Sequence, residues 1–258
     1  MKSQLSVVLA AVSLAVGLAA CDQPTPTDPQ MLEAKGATGY TLDLSICAPG
    51  QPGFTIVSTN PYFPMTVGHQ LVLTGEDEGD EIRLQVTVLN LTRTIEGVVT
   101  RIVEEREWVN DELAEVTWNY HVQASDGTIC YYGEDVDIFT DDGVSHEGAW
   151  CPGGPNHNLP GIFMPADPKP GTSYQNEVAP GVALDEAKIV GVGRWEVPLD
   201  TFEETIRIRE FDPISGDKDY KVHAADVGII DDGGLQLVEI NQTSGTPETT
   251  LVLQACGS

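Results

Sequence analysis

Apolar and polar residues alternate along most of the chain. Tyr40 to Ile46, His69 to Thr74, Glu81 to Leu89, Val98 to Val109, Leu113 to Gln123 and Thr128 to Phe139 are rich in β-branched and aromatic residues. Strand side chains change face at every residue, so each run predicts a strand with one buried side. The separators Gly75 to Asp80, Asn90 to Gly97, Asn110-Asp111 and Ser125 to Gly127 carry the Gly, Asn and Asp of tight turns. Strands so closely spaced indicate antiparallel meanders rather than βαβ units. A second meander is expected from Lys188 to Val197, Ile206 to Phe211, Tyr220 to Ile230, Leu235 to Asn241 and Thr249 to Gln254. Between the two lies a Pro- and Gly-dense crossing, Cys151 to Gly171. A short helix is expected near Val182 to Ala187, and one helical turn at Thr201 to Thr205. The fold class is mainly β: antiparallel meanders forming a β-sandwich or a strongly curved sheet, with at most short helices. The meanders fall in one β-rich domain, residues 40–258, read either as a unit or as layers at about 40–150 and 172–256.

The densest run is Trp118 to Asp135, two strand-like halves around Ser125-Asp126-Gly127. Asp-Gly between such halves is a strong hairpin signal. With a two- or four-residue loop, Trp118, Tyr120 and Val122 share a face with Ile129 and Tyr131. Asn119, His121, Cys130 and Tyr132 then take the other face. A three-residue loop slips the register by one and swaps the partner faces.

The N-terminus has a different texture. Lys2, the apolar stretch Val7 to Leu18 and Leu18-Ala19-Ala20-Cys21 resemble a bacterial lipoprotein signal with its lipobox. Residues 1–20 are expected to be removed and Cys21 lipidated, which places the protein in the bacterial cell envelope, lipid-anchored and facing the periplasm or exterior. Residues 21–39, rich in Pro and Thr, form a tether. If extended, it reaches about 50 Å.

Composition narrows the partners. The 258-residue chain has 13 basic and 40 acidic residues, a formal charge of −27. Nucleic acid is excluded as a partner, because phosphate binding needs a basic footprint. A cation or a basic protein is the natural complement. Beyond Cys21, four cysteines remain: Cys47, Cys130, Cys151 and Cys256. An even number in an exported chain indicates disulfides, and the expected pairs are Cys47–Cys256 and Cys130–Cys151. No Cys-x-x-Cys pair points to a metal site instead.

Several segments resemble an uncharacterised family of exported bacterial proteins and lipoproteins. They are Asn60-Pro61-Tyr62-Phe63-Pro64, Tyr120 to Asp135, Gly148-Ala149-Trp150, Pro160 to Pro165, Tyr174-Gln175-Asn176-Glu177 and Val227-Gly228-Ile229. The resemblance spans most of Asn60 to about Glu239. It implies a shared fold and export, and carries no activity. Cys130 and Cys151 depart from the family pattern, as an added bridge would.

Candidate chemistry is acidic. Glu134, Asp135, Asp137 and Asp141 form one carboxylate-rich loop, and Asp212, Asp217 and Asp219 another. Calcium takes six to eight oxygen ligands, which such loops supply, although neither has EF-hand spacing. Each reads equally as a solvated turn. Trp118, Tyr120, Tyr131, Phe163 and Met164 either line a concave apolar site or are ordinary core. Pro152-Gly153-Gly154-Pro155-Asn156-His157 matches half of a cupin metal motif, but the chain has no His-x-His to complete it. There is no Gly-x-Ser-x-Gly elbow, no His-Glu-x-x-His and no phosphate-cradling Gly loop. The leading expectation is a non-catalytic binding or interaction lipoprotein. The alternatives are a hydrolase of envelope polysaccharide, using Glu134 with Asp135 or Glu177, and a carrier of an apolar ligand.

Overall fold

The computed structural model describes residues 31–33, 39–154 and 156–248. The lipobox, most of the tether, the Thr249 to Gln254 strand and Cys256 lie outside the described residues. The chain is mainly β. Its strands are β1 (Met31–Glu33), β2 (Tyr40–Thr41), β3 (His69–Asp77), β4 (Asp80–Ile95), β5 (Val98–Val109), β6 (Glu112–Gln123), β7 (Ile129–Thr140) and β8 (Gly143–Ser145). Then come β9 (Gly161–Met164), β10 (Thr172–Gln175), β11 (Glu186–Glu196), β12 (Thr201–Phe211), β13 (Lys218–Ala224), β14 (Gly228–Asp232) and β15 (Leu235–Gln242).

All fifteen strands belong to one sheet, in the order β2-β10-β11-β12-β13-β14-β15-β3-β4-β5-β6-β7-β8, with β1 on β11 and β9 on β7. Every pairing is antiparallel except β10 with β2. The two meanders are thus continuous: the end of the second pairs with the start of the first, with Leu237 opposite Leu73. The path begins at β2 and ends at β8, so the sheet is open.

It is also strongly curved. Five pairings separate β13 from β5, roughly 24 Å in a flat sheet at ~4.8 Å per strand. Yet Glu105 of β5 lies within electrostatic reach of Lys221 of β13. The main apolar cluster likewise joins Val103 to Ile189, Ile206 and Ile208 from the other arm. The arms face each other, and that side is called the inner face below. The outer side of β6 and β7 is covered by the segment after β2, where the Phe54 and Tyr132 rings meet edge-on at 6.2 Å.

Several expectations change at this level. Tyr40 to Ile46 yields only two strand residues, because the Asp43 carboxylate accepts from Ser45 N (2.9 Å) and starts a 3₁₀ turn, Leu44–Cys47. Val182 to Ala187 and Thr201 to Thr205 are not helical. The second opens β12, where Phe202 pairs with Trp195 across the sheet. Tyr220 to Ile230 splits into β13 and β14 at Asp226 and Gly228, both with positive φ. Asn90 to Gly97 is strand as far as Ile95, the extra residues being absorbed by an irregularity between Val88 and Thr92.

The disulfide pairing also differs. Cys47 is bonded to Cys130, with Cα atoms 5.5 Å apart, so neither Cys47–Cys256 nor Cys130–Cys151 forms. Cys151 is itself disulfide-bonded. The 3₁₀ turn delivers Cys47 to the outer side of β7, where its carbonyl accepts from Tyr132 Oη (2.7 Å). The bridge spans 83 residues. By loop entropy, replacing Cys47 and Cys130 together by Ala should lower stability by about 4 kcal/mol, read from the urea midpoint. An unchanged midpoint would show that the bridge is not a stabilising staple.

Candidate functional site

The candidate site is on the inner face, and a β-bulge builds it. His121 pairs with Tyr131 and Asn119 with Glu134, so Tyr132 and Gly133 together stand opposite Tyr120. In an unbroken strand Tyr131 and Glu134 would point to opposite faces. The extra residue puts both on the inner face. Gly133 has φ +93°, and a Cβ there would stand 2.1 Å from Trp150 O. Glycine is therefore required twice over, by its conformation and by the close approach of Trp150. Glu134 and Trp150 exchange backbone hydrogen bonds of 2.8 and 3.0 Å, which fixes Trp150 beside the bulge.

The hairpin loop sets the rest. Ala124 N bonds Thr128 O (2.8 Å), leaving Ser125-Asp126-Gly127 as a three-residue loop with Gly127 at φ +99°. Asp126 caps it by accepting from Thr128 N (2.8 Å). This is the register in which the partner faces swap. Tyr131 sits with Asn119 and His121, and Trp118, Tyr120 and Val122 sit with Cys130, contrary to the facing expected from a two- or four-residue loop.

Tyr131 Oη contacts Asn119 Oδ1 at 2.5 Å and Glu134 Oε2 at 2.9 Å. One hydroxyl proton cannot serve both acceptors. Either Glu134 carries a proton and donates it to the phenol, or the Asn119 amide is turned to donate. Glu177 accepts from Trp150 Nε1 at 3.3 Å. Glu177 follows β10 and is held by its N–H to Asp185 O (3.1 Å). Burial, then the Glu134 and Asp185 charges, raise its proton affinity well above that of an ordinary carboxylate. Burial likewise raises that of Glu134, with Tyr131 and Lys221 opposing. Two carboxyls within reach of each other in such a place hold protons as a pair.

Further acids face this pair from both arms. Burial pushes Glu105 of β5 up to about 7, assisted by Asp232, Glu115 and Glu210 and opposed by Lys221. Glu107 is pushed to about 7 by burial and by Glu115. Burial alone would lower the proton affinity of Lys221, but Asp232, Glu210, Glu105 and Asp219 raise it well above normal. Its Nζ stands 3.4 Å from both Glu210 and Asp232. Above the pair, Phe63, Phe163 and Tyr131 surround the His121 ring at centroid distances of 4.6 to 4.9 Å. Burial lowers His121 to about 3 and His223 to about 4.

The other expected site residues are placed as follows. Asp135 points to the outer side, accepting from Tyr120 Oη (2.5 Å) and pairing with Arg93. Asp137 pairs with His146 (2.9 Å). Asp141 lies in the exposed β7–β8 turn. Asp212 caps its own turn, accepting from Ile214 N (2.7 Å) and Ser215 N (3.1 Å); Asp217 is in that turn and Asp219 on β13. Glu134 is thus separated from Asp135 and Asp137 by the sheet. Among the described residues, no group of three or more His, Cys, Asp or Glu is arranged to hold a metal ion. The five aromatic and Met candidates do not share a cavity: Trp118 and Tyr120 are buried on the outer side, Tyr131 and Phe163 pack on the inner side, and Met164 is fully buried. An open depression of about 530 Å³ lies elsewhere, between Phe54, Thr55 and Ile56 and the β4–β5 turn at Gly97.

Asn119, Trp150, Glu105, Glu210 and Lys221 are members that pattern reading did not single out. Gly133 inside a strand was the available signal, since such a glycine marks a bulge. No family model matches the chain, and no curated protein or solved structure matches it. The site is therefore read from its own chemistry.

Two outcomes follow. Gly133→Ala should destabilise the fold by about 2 kcal/mol or more, measured by urea unfolding; a neutral result would mean that the bulge is not obligatory. A carboxyl whose folded pKa is raised, as for Glu105, contributes stability that is full below the unfolded pKa and lost as pH rises through the folded one. Glu105 therefore weakens the fold between about pH 4.5 and about 7. The two histidines act oppositely, losing stability as pH falls from 6.5 towards 4 and 3. Glu105→Gln should leave stability at pH 4 unchanged and raise it at pH 8 by up to about 3 kcal/mol. A pH-independent difference between the two proteins would refute the assignment.

Proposed function

We propose that the protein is a lipid-anchored envelope protein that binds a ligand, without catalysis, on the inner face of its curved sheet. One observation carries this reading. Glu105, Glu134 and Glu210 come from sequence-remote segments and converge around one lysine, Lys221, and Glu177 joins them through Glu134 and Glu210. A purely structural inner face would be apolar, because burying like charges is unfavourable. Strongly perturbed carboxyls gathered in one place are a mark of functional sites. The lipobox ending at Cys21 and the resemblance to exported lipoproteins support the envelope location. The formal charge of −27 favours a cationic ligand, whether calcium, an organic cation or a basic protein.

A second reading is favoured by the Glu134–Glu177 pair itself. One carboxyl can hold a proton while the other is ionised, as hydrolysis of a glycosidic bond requires. Asp135 drops out of that reading because it faces the other side. The apolar-carrier reading has no such support, since its five residues are divided between two cores.

The test is a melting-temperature screen at pH 8 against Ca²⁺, Mg²⁺, polyamines and a lysine-rich peptide, with a parallel assay for sugar release from envelope polysaccharide. We expect one cationic class to stabilise the protein, by about 2.7 kcal/mol at 100 times its Kd, and the effect to vanish in Glu134→Gln. Sugar release that is lost in Glu177→Gln would replace this reading with the hydrolase.

A further inference from the structure

We infer that the Glu134–Glu177 pair and the buried amides and hydroxyl beside it form a site for one primary ammonium group, which enters in exchange for a proton. This rests on the inner-face binding reading and narrows its ligand. Beyond the carboxyls themselves, three side chains point to it. Tyr174 is 2% exposed, and its hydroxyl has no hydrogen-bond partner among the described residues. That hydroxyl lies within reach of the Glu210 and Lys221 charges. Asn176 is 6% exposed; its Nδ2 reaches Glu210 Oε1 at 3.4 Å and its Oδ1 is unpartnered. Asn119 is 6% exposed and leaves Nδ2 unpartnered beside the Tyr131–Glu134 contact. Buried polar atoms are almost always hydrogen-bonded, so three unpartnered ones along a single acidic lining mark a place where a ligand completes the bonding.

The lining already holds an ammonium. Lys221 Nζ sits 3.4 Å from Glu210 and 3.4 Å from Asp232. It pairs directly with the acids of β12 and β14, while Glu105 and Glu115 on β5 and β6, Glu134 on β7, and Glu177 and Asp185 after β10 make no salt bridge among the described residues. An ammonium offers three donors and needs three acceptors. The Glu134 and Glu177 carboxylates and Asn176 Oδ1, adjacent to Glu177 in the chain, supply that number. A calcium ion needs six to eight oxygens, and no such group is assembled among the described residues. The exchange balances. The pair holds a proton between its two carboxyls; the incoming R–NH₃⁺ takes the place of that charge, and the proton leaves to solvent with no bond to the amine made or broken.

The experiment is calorimetric titration of the full chain with putrescine at pH 7, in phosphate and in MOPS, whose heats of ionisation differ and neither of which carries a primary amine. The expected result is one putrescine per chain and release of about one proton. Binding should weaken about tenfold or more in Glu177→Gln and in Tyr174→Phe, and stay unchanged in Asp212→Asn, which alters a surface turn. Glu134→Gln serves in place of Glu177→Gln should the latter not melt cooperatively. Putrescine binding without proton release, binding unaffected in the inner-face variants, or displacement of putrescine by equimolar Ca²⁺ would each overturn the ammonium site. If putrescine does not bind but another ligand of the melting screen is lost in Glu134→Gln, the inner-face reading stands and the amine is wrong. If no ligand depends on Glu134, both fall.

Discussion

An open sheet of fifteen strands, antiparallel but for one pairing, cannot lie flat in water. Each strand pair adds right-handed twist, and open sheets beyond about ten strands curl or split into layers. Here the sheet stays continuous through the β15–β3 pair and curls. That one pairing makes the two meanders face each other, and the inner face exists only because of it. Without the curl, Glu105 and Lys221 would stand five strands apart in a flat sheet, and the apolar cluster linking Val103 to Ile206 would be two exposed surfaces.

The inner face then carries a conflict. Near the His121 ring it is filled by aromatic side chains at close centroid distances, as a core should be. A few residues along the same strands it becomes acidic, and the acids are placed among neighbours that desolvate them. The fold meets this partly with Lys221 and partly by keeping carboxyls protonated. Neither device is as favourable as a leucine would be.

How far this was legible varies with the range of the interaction. The limits of β5 coincide with the run Val98 to Val109, because alternation and turn residues are local properties of the chain. The central hairpin and its Asp126-Gly127 turn were readable for the same reason. Its facing was not, because loops of two and three residues look alike in composition yet invert every side chain. Glu134 was singled out, but with Asp135 as its neighbour. Adjacent strand residues face opposite ways, and Asp135 went to Arg93 and Tyr120. Glu177, on which the Glu134 charge acts, stood beside Asp135 as the other choice, since nothing local joins residues so far apart. The cysteines fail similarly: their number implied bridges, whereas Cys47–Cys130 depends on a 3₁₀ turn that a single Asp43 capping bond creates.

The sequence by itself determined the β class, the positions of most turns, the acidic character and the expectation of export, all of which follow from residue type and from periods of two. Only the tertiary structure decided which acids meet, which face each aromatic takes and which cysteines join. The physical reason is that these depend on register and curvature. A single extra residue at Gly133 reverses the sidedness of Tyr131 relative to Glu134, and the twist summed over many strands brings Glu105 to Lys221.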